Sequence, residues 1–157
     1  MPKITPCLWY DTQAEEAAEF YCSVFESAKL GKVVRFGASG PGPEGSAMTV
    51  SFELDGLEFT ALNGGPHFTF NEAVSMHVSC DTQAEVDAYW SRLTADGGAE
   101  SRCGWLKDKF GVSWQIIPKR LGELLSDPDP DVAARVMQAT LAMTKIDIAA
   151  IEAAAAG

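Results

Sequence analysis

The chain has 157 residues, 46% of them hydrophobic and 22% charged, which suits one ordinary domain or two small modules sharing a core. A formal net charge of -10 argues against nucleic acid and anionic membrane surfaces as partners, because nothing would neutralise their phosphates. No apolar run is long enough to span a bilayer and the start MPKITPCLWYD has no signal-peptide core, so a soluble, cytoplasmic protein with no membrane association is expected.

In chain order, the run ITPCLWY reads as a first strand. It is followed by DTQAE at Asp11–Glu15, in which Thr12 and Glu15 fit a capping box at a helix start. Ala14, Ala17, Ala18, Tyr21, Val24 and Phe25 then recur at helical spacing and make one apolar face. KLGKVVRF, the glycine-rich GASGPGPEGS, and AMTVSFEL read as strand, loop and strand. Asp55-Gly56 is a hairpin signal leading into LEFTALN.

The same order then recurs. AVSMHVSC alternates Val74, Met76, Val78 and Cys80 with Ser75, His77 and Ser79, and DTQAE returns at Asp81–Glu85. Val86, Tyr89, Trp90 and Leu93 form a second helical face that stops at Gly97-Gly98. AES, CGWLKD, a turn at Lys109-Phe110-Gly111, and VSWQIIP complete the half. The first strands and helices repeat at an offset of seventy, and the last hairpins at fifty-five because the second half has shorter loops. The chain is read as a duplicated strand–helix–three-strand module. After Pro118, Asp129 is a helix cap with Pro130 at the first helical position, and Val132, Val136 and Ala139 or Thr140 line one side. KIDIAAIEAAAAG adds a short alanine-rich helix.

This order, with LWYDTQAEEAAEFY, LNGGP, FNEAVSMHVSC, AYWSRL and CGWLKDKFGVSWQIIP, resembles the vicinal-oxygen-chelate (glyoxalase/bleomycin-resistance) superfamily. Within it, the chain is similar to the PhnB-like branch described as 3-demethylubiquinone-9 3-methyltransferase, from about Ile4 to Pro118. The resemblance implies an α+β fold of duplicated βαβββ modules, 1–64 and 65–118, that together make one domain with a curved mixed sheet and a concave small-molecule site. Residues 119–157 follow as a C-terminal helical tail, expected to pack on its own domain or across the interface of a homodimer.

Many superfamily members hold a divalent metal through two side chains from each module. Those positions fall near Thr5 (or Pro6 or Cys7, depending on strand parity), Thr60, Ser75 and Gln115. Hydroxyls and a neutral amide are poor ligands for a divalent first-row metal, so no metal and no other cofactor is expected. The glycine-rich segment lies between two strands, lacks G-x-G-x-x-G spacing, and is expected to be a hairpin loop bordering the pocket. The methyltransferase description therefore has no cofactor motif behind it.

Trp9 with Cys7, Thr60, Asn63, Ser75, His77, Ser79 and Gln115 is expected on the concave face, a set suited to a small, partly apolar organic ligand. His77 is either a general acid or base or a hydrogen-bonded pocket residue. His67 reads as exposed or capping in the linker, and Cys7 as a small buried thiol rather than a nucleophile. Cys7, Cys22, Cys80 and Cys103 have no C-x-x-C spacing, so reduced, mostly buried thiols are expected. Trp90, Phe20, Tyr21, Trp114 and Phe59 are assigned to the core. No arginine or lysine is placed inside the pocket, and Lys107 and Lys109 are expected to be solvated. The leading reading is a metal-free small-molecule-binding protein or an enzyme of unknown reaction using that pocket. A metal-dependent lyase or dioxygenase comes second, and a methyltransferase third.

Overall fold

Period-two alternation in the strands is realised as two four-stranded mixed sheets, each carrying a helix on its apolar face. The computed structural model describes residues 2–157, in two units, Met1–Phe70 and Asn71–Gly157. The first unit runs β1 (Cys7–Tyr10), α1 (Ala14–Val24), β2 (Ala28–Arg35), β3 (Ala47–Leu54) and β4 (Leu57–Asn63). Its sheet order is β1-β4-β3-β2, with β1 parallel to β4 and the other pairs antiparallel.

Leu8, Tyr10, Val50, Phe52, Leu54, Phe59 and Ala61 are buried together with Ala14, Ala17, Ala18, Tyr21 and Val24 of α1. The alanines leave room for helix and sheet to approach closely, and the aromatics fill what remains. Phe52 stacks on Phe59 with ring centroids 5.1 Å apart, and the Tyr10 and Tyr21 hydroxyls lie 3.0 Å apart in the core. Alternation sends Cys7, Trp9, Thr60 and Leu62 to the opposite face, with Cys7 level with Thr60 and Trp9 level with Leu62. The β3–β4 hairpin turns through Asp55 (φ 50°) and Gly56 (φ 83°), the paired left-handed conformation that the Asp-Gly signal predicts.

The second unit repeats the plan with β5 (Ser75–Cys80), α2 (Gln83–Thr94), β6 (Ala99–Glu100), β7 (Trp105–Lys107) and β8 (Ser113–Pro118), in sheet order β5-β8-β7-β6. His77 sits level with Gln115, as Cys7 does with Thr60, so both repeat offsets hold in three dimensions. Val86, Trp90 and Leu93 of α2 are buried, as are Trp114 and Ile116 of β8. The core assignment holds for Trp90, Tyr21, Trp114 and Phe59, while Phe20 is half-buried.

The tail belongs to the second unit. It contains α3 (Lys119–Leu125), which sequence reading does not anticipate, then α4 (Pro130–Leu141) and α5 (Ile148–Ala156). Asp129 caps α4 by accepting from the Asp131 N–H at 2.9 Å, with Pro130 opening the helix as expected. Leu121, Leu124, Val136, Ile146 and Ile151 form one buried cluster, against which Ile117 of β8 packs. Backbone bonds from Cys103 to the Met143 carbonyl (2.9 Å) and from Gly104 to the Thr144 carbonyl (2.8 Å) tie this cluster to the rest of the unit. The Gln83 side chain adds bonds to the Ile146 carbonyl (3.1 Å) and the Ile148 N–H (2.8 Å).

The two DTQAE copies fold differently. At α2 the Glu85 N–H donates to the Thr82 hydroxyl (3.2 Å) and the Glu85 carboxylate accepts from the Asp81 N–H (2.6 Å). At α1 the expected capping box is not made: the N-cap position falls on Gln13, not Thr12, and carries no side-chain cap. Instead Asn63, at the end of β4, accepts from the Ala14 N–H (2.8 Å) while its amide donates to the Ala47 carbonyl (3.0 Å). Glu15 turns away to Arg35, pairing through both carboxylate oxygens at 3.2 and 3.0 Å. The residue of the second unit at the Asn63 position is Pro118, whose side chain has nothing to donate or accept.

Urea unfolding should separate the two ends. Thr82→Ala should cost about 1 kcal/mol and Asn63→Ala about 1–3 kcal/mol, since it also strands the Ala47 carbonyl. Thr12→Ala should stay within about 0.5 kcal/mol of the parent. A Thr12 loss matching that at Thr82 would show that α1 is capped from its own sequence.

Candidate functional site

Thr12 and Glu15, neither of them used as a side-chain cap, line a cavity of about 870 Å³ in the first unit. Its apolar wall includes Trp9, Phe36, Met48 and Leu62, and its polar wall includes Asp11, Glu15, Arg35 and Asn63. Pro41, Gly42, Pro43 and Ser46 of the glycine-rich loop border it, as expected of that segment. The loop is a connection between antiparallel strands β2 and β3, held by Phe36 N–H to the Ser46 carbonyl (2.9 Å) and Gly45 N–H to the Phe36 carbonyl (2.9 Å).

Trp9 is the fixed element of this wall. Its indole N–H donates to the Gly65 carbonyl at 2.9 Å, and Phe68 meets the ring edge-on with centroids 4.9 Å apart. A side chain at Gly64 would collide with the indole, which explains a glycine there. Gly64 N–H reaches the Tyr10 carbonyl (2.9 Å) and Gly65 N–H the Asp11 carbonyl (3.4 Å), so the 64–67 turn follows the end of β1. His67 is exposed, as the sequence suggests, and it also lines the cavity.

Of the residues singled out from sequence, Trp9 and Asn63 line this cavity, and Asn63 does so with its amide engaged at both ends. Cys7 and Thr60 share the Trp9 face of the sheet without lining the cavity. Ser75, His77, Ser79 and Gln115 lie in the second unit, alternating with the buried Cys80 and with Trp114 and Ile116. There Gln115 donates to the Ser75 hydroxyl at 2.9 Å, while His77 and Ser79 are exposed. Ser113, not anticipated, is buried with no hydrogen-bond partner for its hydroxyl among the described residues.

Four expectations are corrected. Cys7 is exposed rather than buried, because it faces away from α1 on an edge strand. Of the four thiols only Cys80 is buried, so the expectation of mostly buried cysteines also fails. Arg35 does line the pocket, contrary to the expectation that no cation would. Register shifts between Leu30 and Val33 and between Val34 and Arg35 break the alternation from which its direction would be read. Its guanidinium is committed to Glu15 and reaches the Gly45 carbonyl at 3.3 Å. Lys107 is half-buried and paired with Glu72 rather than simply solvated.

The positions where relatives would ligate a metal do not fit one. Thr5 is exposed ahead of β1, Thr60 and Ser75 offer hydroxyls, and the Gln115 amide already serves Ser75. Asp11, Glu15 and His67 share the cavity wall without converging: among the described residues no three His, Cys, Asp or Glu side chains could hold a metal ion together. Among the same residues no helix is long and apolar enough to cross a membrane.

Burial, with the nearby Glu85 and Asp81 carboxylates, pushes the Cys80 thiol up to about 11, and burial also raises that of Cys22. Maleimide labelling followed by peptide mapping should therefore mark Cys7 first and Cys80 only on unfolding. Early labelling of Cys80 would contradict the placement of β5 against α2.

A model of the family described as 3-demethylubiquinone-9 3-methyltransferase matches residues 2–117, leaving out the three tail helices. No curated protein gives a significant match. Among solved structures, a PhnB protein from Bacillus cereus described with the same methyltransferase name is 36% identical, covering 74% of this chain and 99% of its own, at a TM-score of 0.69. Protein PA1353 from Pseudomonas aeruginosa is 20% identical over 75% of this chain and 98% of its own, with a TM-score of 0.62. The fosfomycin resistance protein FosX from Mesorhizobium loti is 14% identical over 73% and 90%, with a TM-score of 0.51. The last two share the fold.

Proposed function

We propose, for a chain that belongs to the PhnB-like 3-demethylubiquinone-9 3-methyltransferase family, that it is a metal-free small-molecule-binding protein for a partly apolar organic ligand. The observation that carries this reading is the 870 Å³ cavity beside an indole locked by its own N–H and by an aromatic edge. A volume in this range suits a small organic molecule. Because Trp9 is already ordered, a ligand stacking on it would lose little side-chain entropy from the protein. Burying apolar ligand surface there would contribute about 25 cal/mol per Å².

Cys7 and Thr60, on the Trp9 face, are proposed to extend the ligand surface. Within the second unit, Ser75, His77, Ser79 and Gln115 are proposed as a separate polar surface apart from this cavity, with His77 a hydrogen-bonding residue and not a base. Methyl transfer is not favoured. The glycine-rich segment joins two antiparallel strands and opens no helix, so it offers no helix N-terminus to a cofactor's charged groups.

Native mass spectrometry of the purified protein should show a co-purifying small organic molecule, or else free protein that binds 1-naphthalenemethanol. Trp9→Ala should weaken that binding by roughly tenfold through lost stacking area. His77→Gln should leave any turnover that is found unaffected. One equivalent of zinc, nickel, manganese or iron retained after chelator treatment would contradict the metal-free reading, and full binding by Trp9→Ala would contradict the site.

The working form is proposed to be a homodimer. Met137 and Leu141 are 44% and 58% exposed, one turn apart on α4, beside the face that buries Val136 and Thr140. Light scattering at micromolar concentration should report twice the chain mass, and Met137→Asp with Leu141→Asp should reduce it. A monomer in the parent protein would refute the dimer.

A further inference from the structure

The charges on the cavity wall do not cancel. Three formally charged side chains line it, Asp11, Glu15 and Arg35, with His67 at the exposed rim. Arg35 and Glu15 neutralise one another through two hydrogen bonds, with the guanidinium further engaged by the Gly45 carbonyl. The Asp11 carboxylate has no ion-pair partner among the described residues, while the Asp11 carbonyl is used by the Gly65 N–H. One uncompensated negative charge therefore stands on the wall, two residues along the chain from the Trp9 indole.

We propose that the ligand of this cavity is an organic cation, an amine or protonated heterocycle carrying an aromatic or aliphatic body. This inference rests on the binding function proposed above and adds the ligand's charge to it. The ammonium group would lie against the Asp11 carboxylate, and the body against Trp9, Met48 and Leu62. A cation beside an indole face gains a second attraction, from the negative face of the ring. An anionic ligand meets the opposite situation. It would have to draw Arg35 away from Glu15, leaving the Glu15 carboxylate uncompensated next to it. The cavity wall outside these groups is mainly apolar, including Phe36, Ala47 and three prolines, and supplies no further cation.

Three probes of equal body and different charge test this: 1-naphthylmethylammonium, 1-naphthalenemethanol and 1-naphthoate. Calorimetry gives their affinities, and the Trp9 indole resonance, identified by its loss in Trp9→Phe, reports where they bind. The cation should bind several-fold tighter than the alcohol, with the carboxylate weakest, as one close charge on an exposed carboxylate beside an indole allows. Asp11→Asn should bring the cation down to the alcohol's affinity, whereas Asp96→Asn, outside the cavity, should keep the cation's advantage. Equal affinities for cation and alcohol, or tightest binding by the carboxylate, would overturn the proposal while leaving a binding site at Trp9. No shift of the Trp9 resonance with any probe would overturn the binding function itself.

Discussion

The first unit depends on one amide. Asn63 sits where β4 ends, and its two polar atoms join the first N–H of α1 to the carbonyl that opens β3. Each group would otherwise be an orphan at the end of a helix or strand. Because the cap comes from across the sheet, Thr12 and Glu15 are free of the task that Thr82 and Glu85 perform in the second unit. Glu15 pairs with Arg35 instead, and both line the space beside Trp9. The same five letters thus produce a closed helix end in one module and a cavity wall in the other. The difference lies at a position fifty-five residues from its counterpart, asparagine in one copy and proline in the other.

Much of the architecture was legible because it is written in local periods. Alternation gave the strands, helical spacing the two sheet-packed helices, and the doubled DTQAE the duplication. The same alternation puts Trp9 on the face away from the buried Leu8 and Tyr10. What was not legible depends on partners distant in the chain. Asn63 caps a residue 49 positions away, which no local pattern can announce. Arg35 follows two register shifts, so its direction is decided by bulge geometry instead of parity. The seven-residue α3 is too short to show a period, and its Leu121 and Leu124 make sense only against Val136, Ile146 and Ile151.

Family membership and site chemistry answer different questions here. The match over residues 2–117 and the Bacillus cereus relative show the family and its fold. They leave the chemistry to the residues present, as one fold hosts many functions. Those residues provide hydroxyls and an amide at the positions where relatives would bind a metal, and a hairpin loop where a phosphate-binding turn would open a helix. They also provide a pinned indole, an apolar wall and one uncompensated carboxylate. The proposal of a binding function rests on these groups alone. The tail, outside the family match, is integrated into the second unit through its own buried cluster.

Amide hydrogen exchange with and without 1-naphthalenemethanol tests the location of the site across the whole chain at once. Ligand binding slows exchange where it suppresses local opening. Protection should rise in segments 9–15, 35–48 and 62–67, which carry the cavity wall, and stay level in β5 and β8. Protection gained instead along 75–80 and 113–117, with the first unit unchanged, would contradict the assignment of the cavity beside Trp9 as the ligand site.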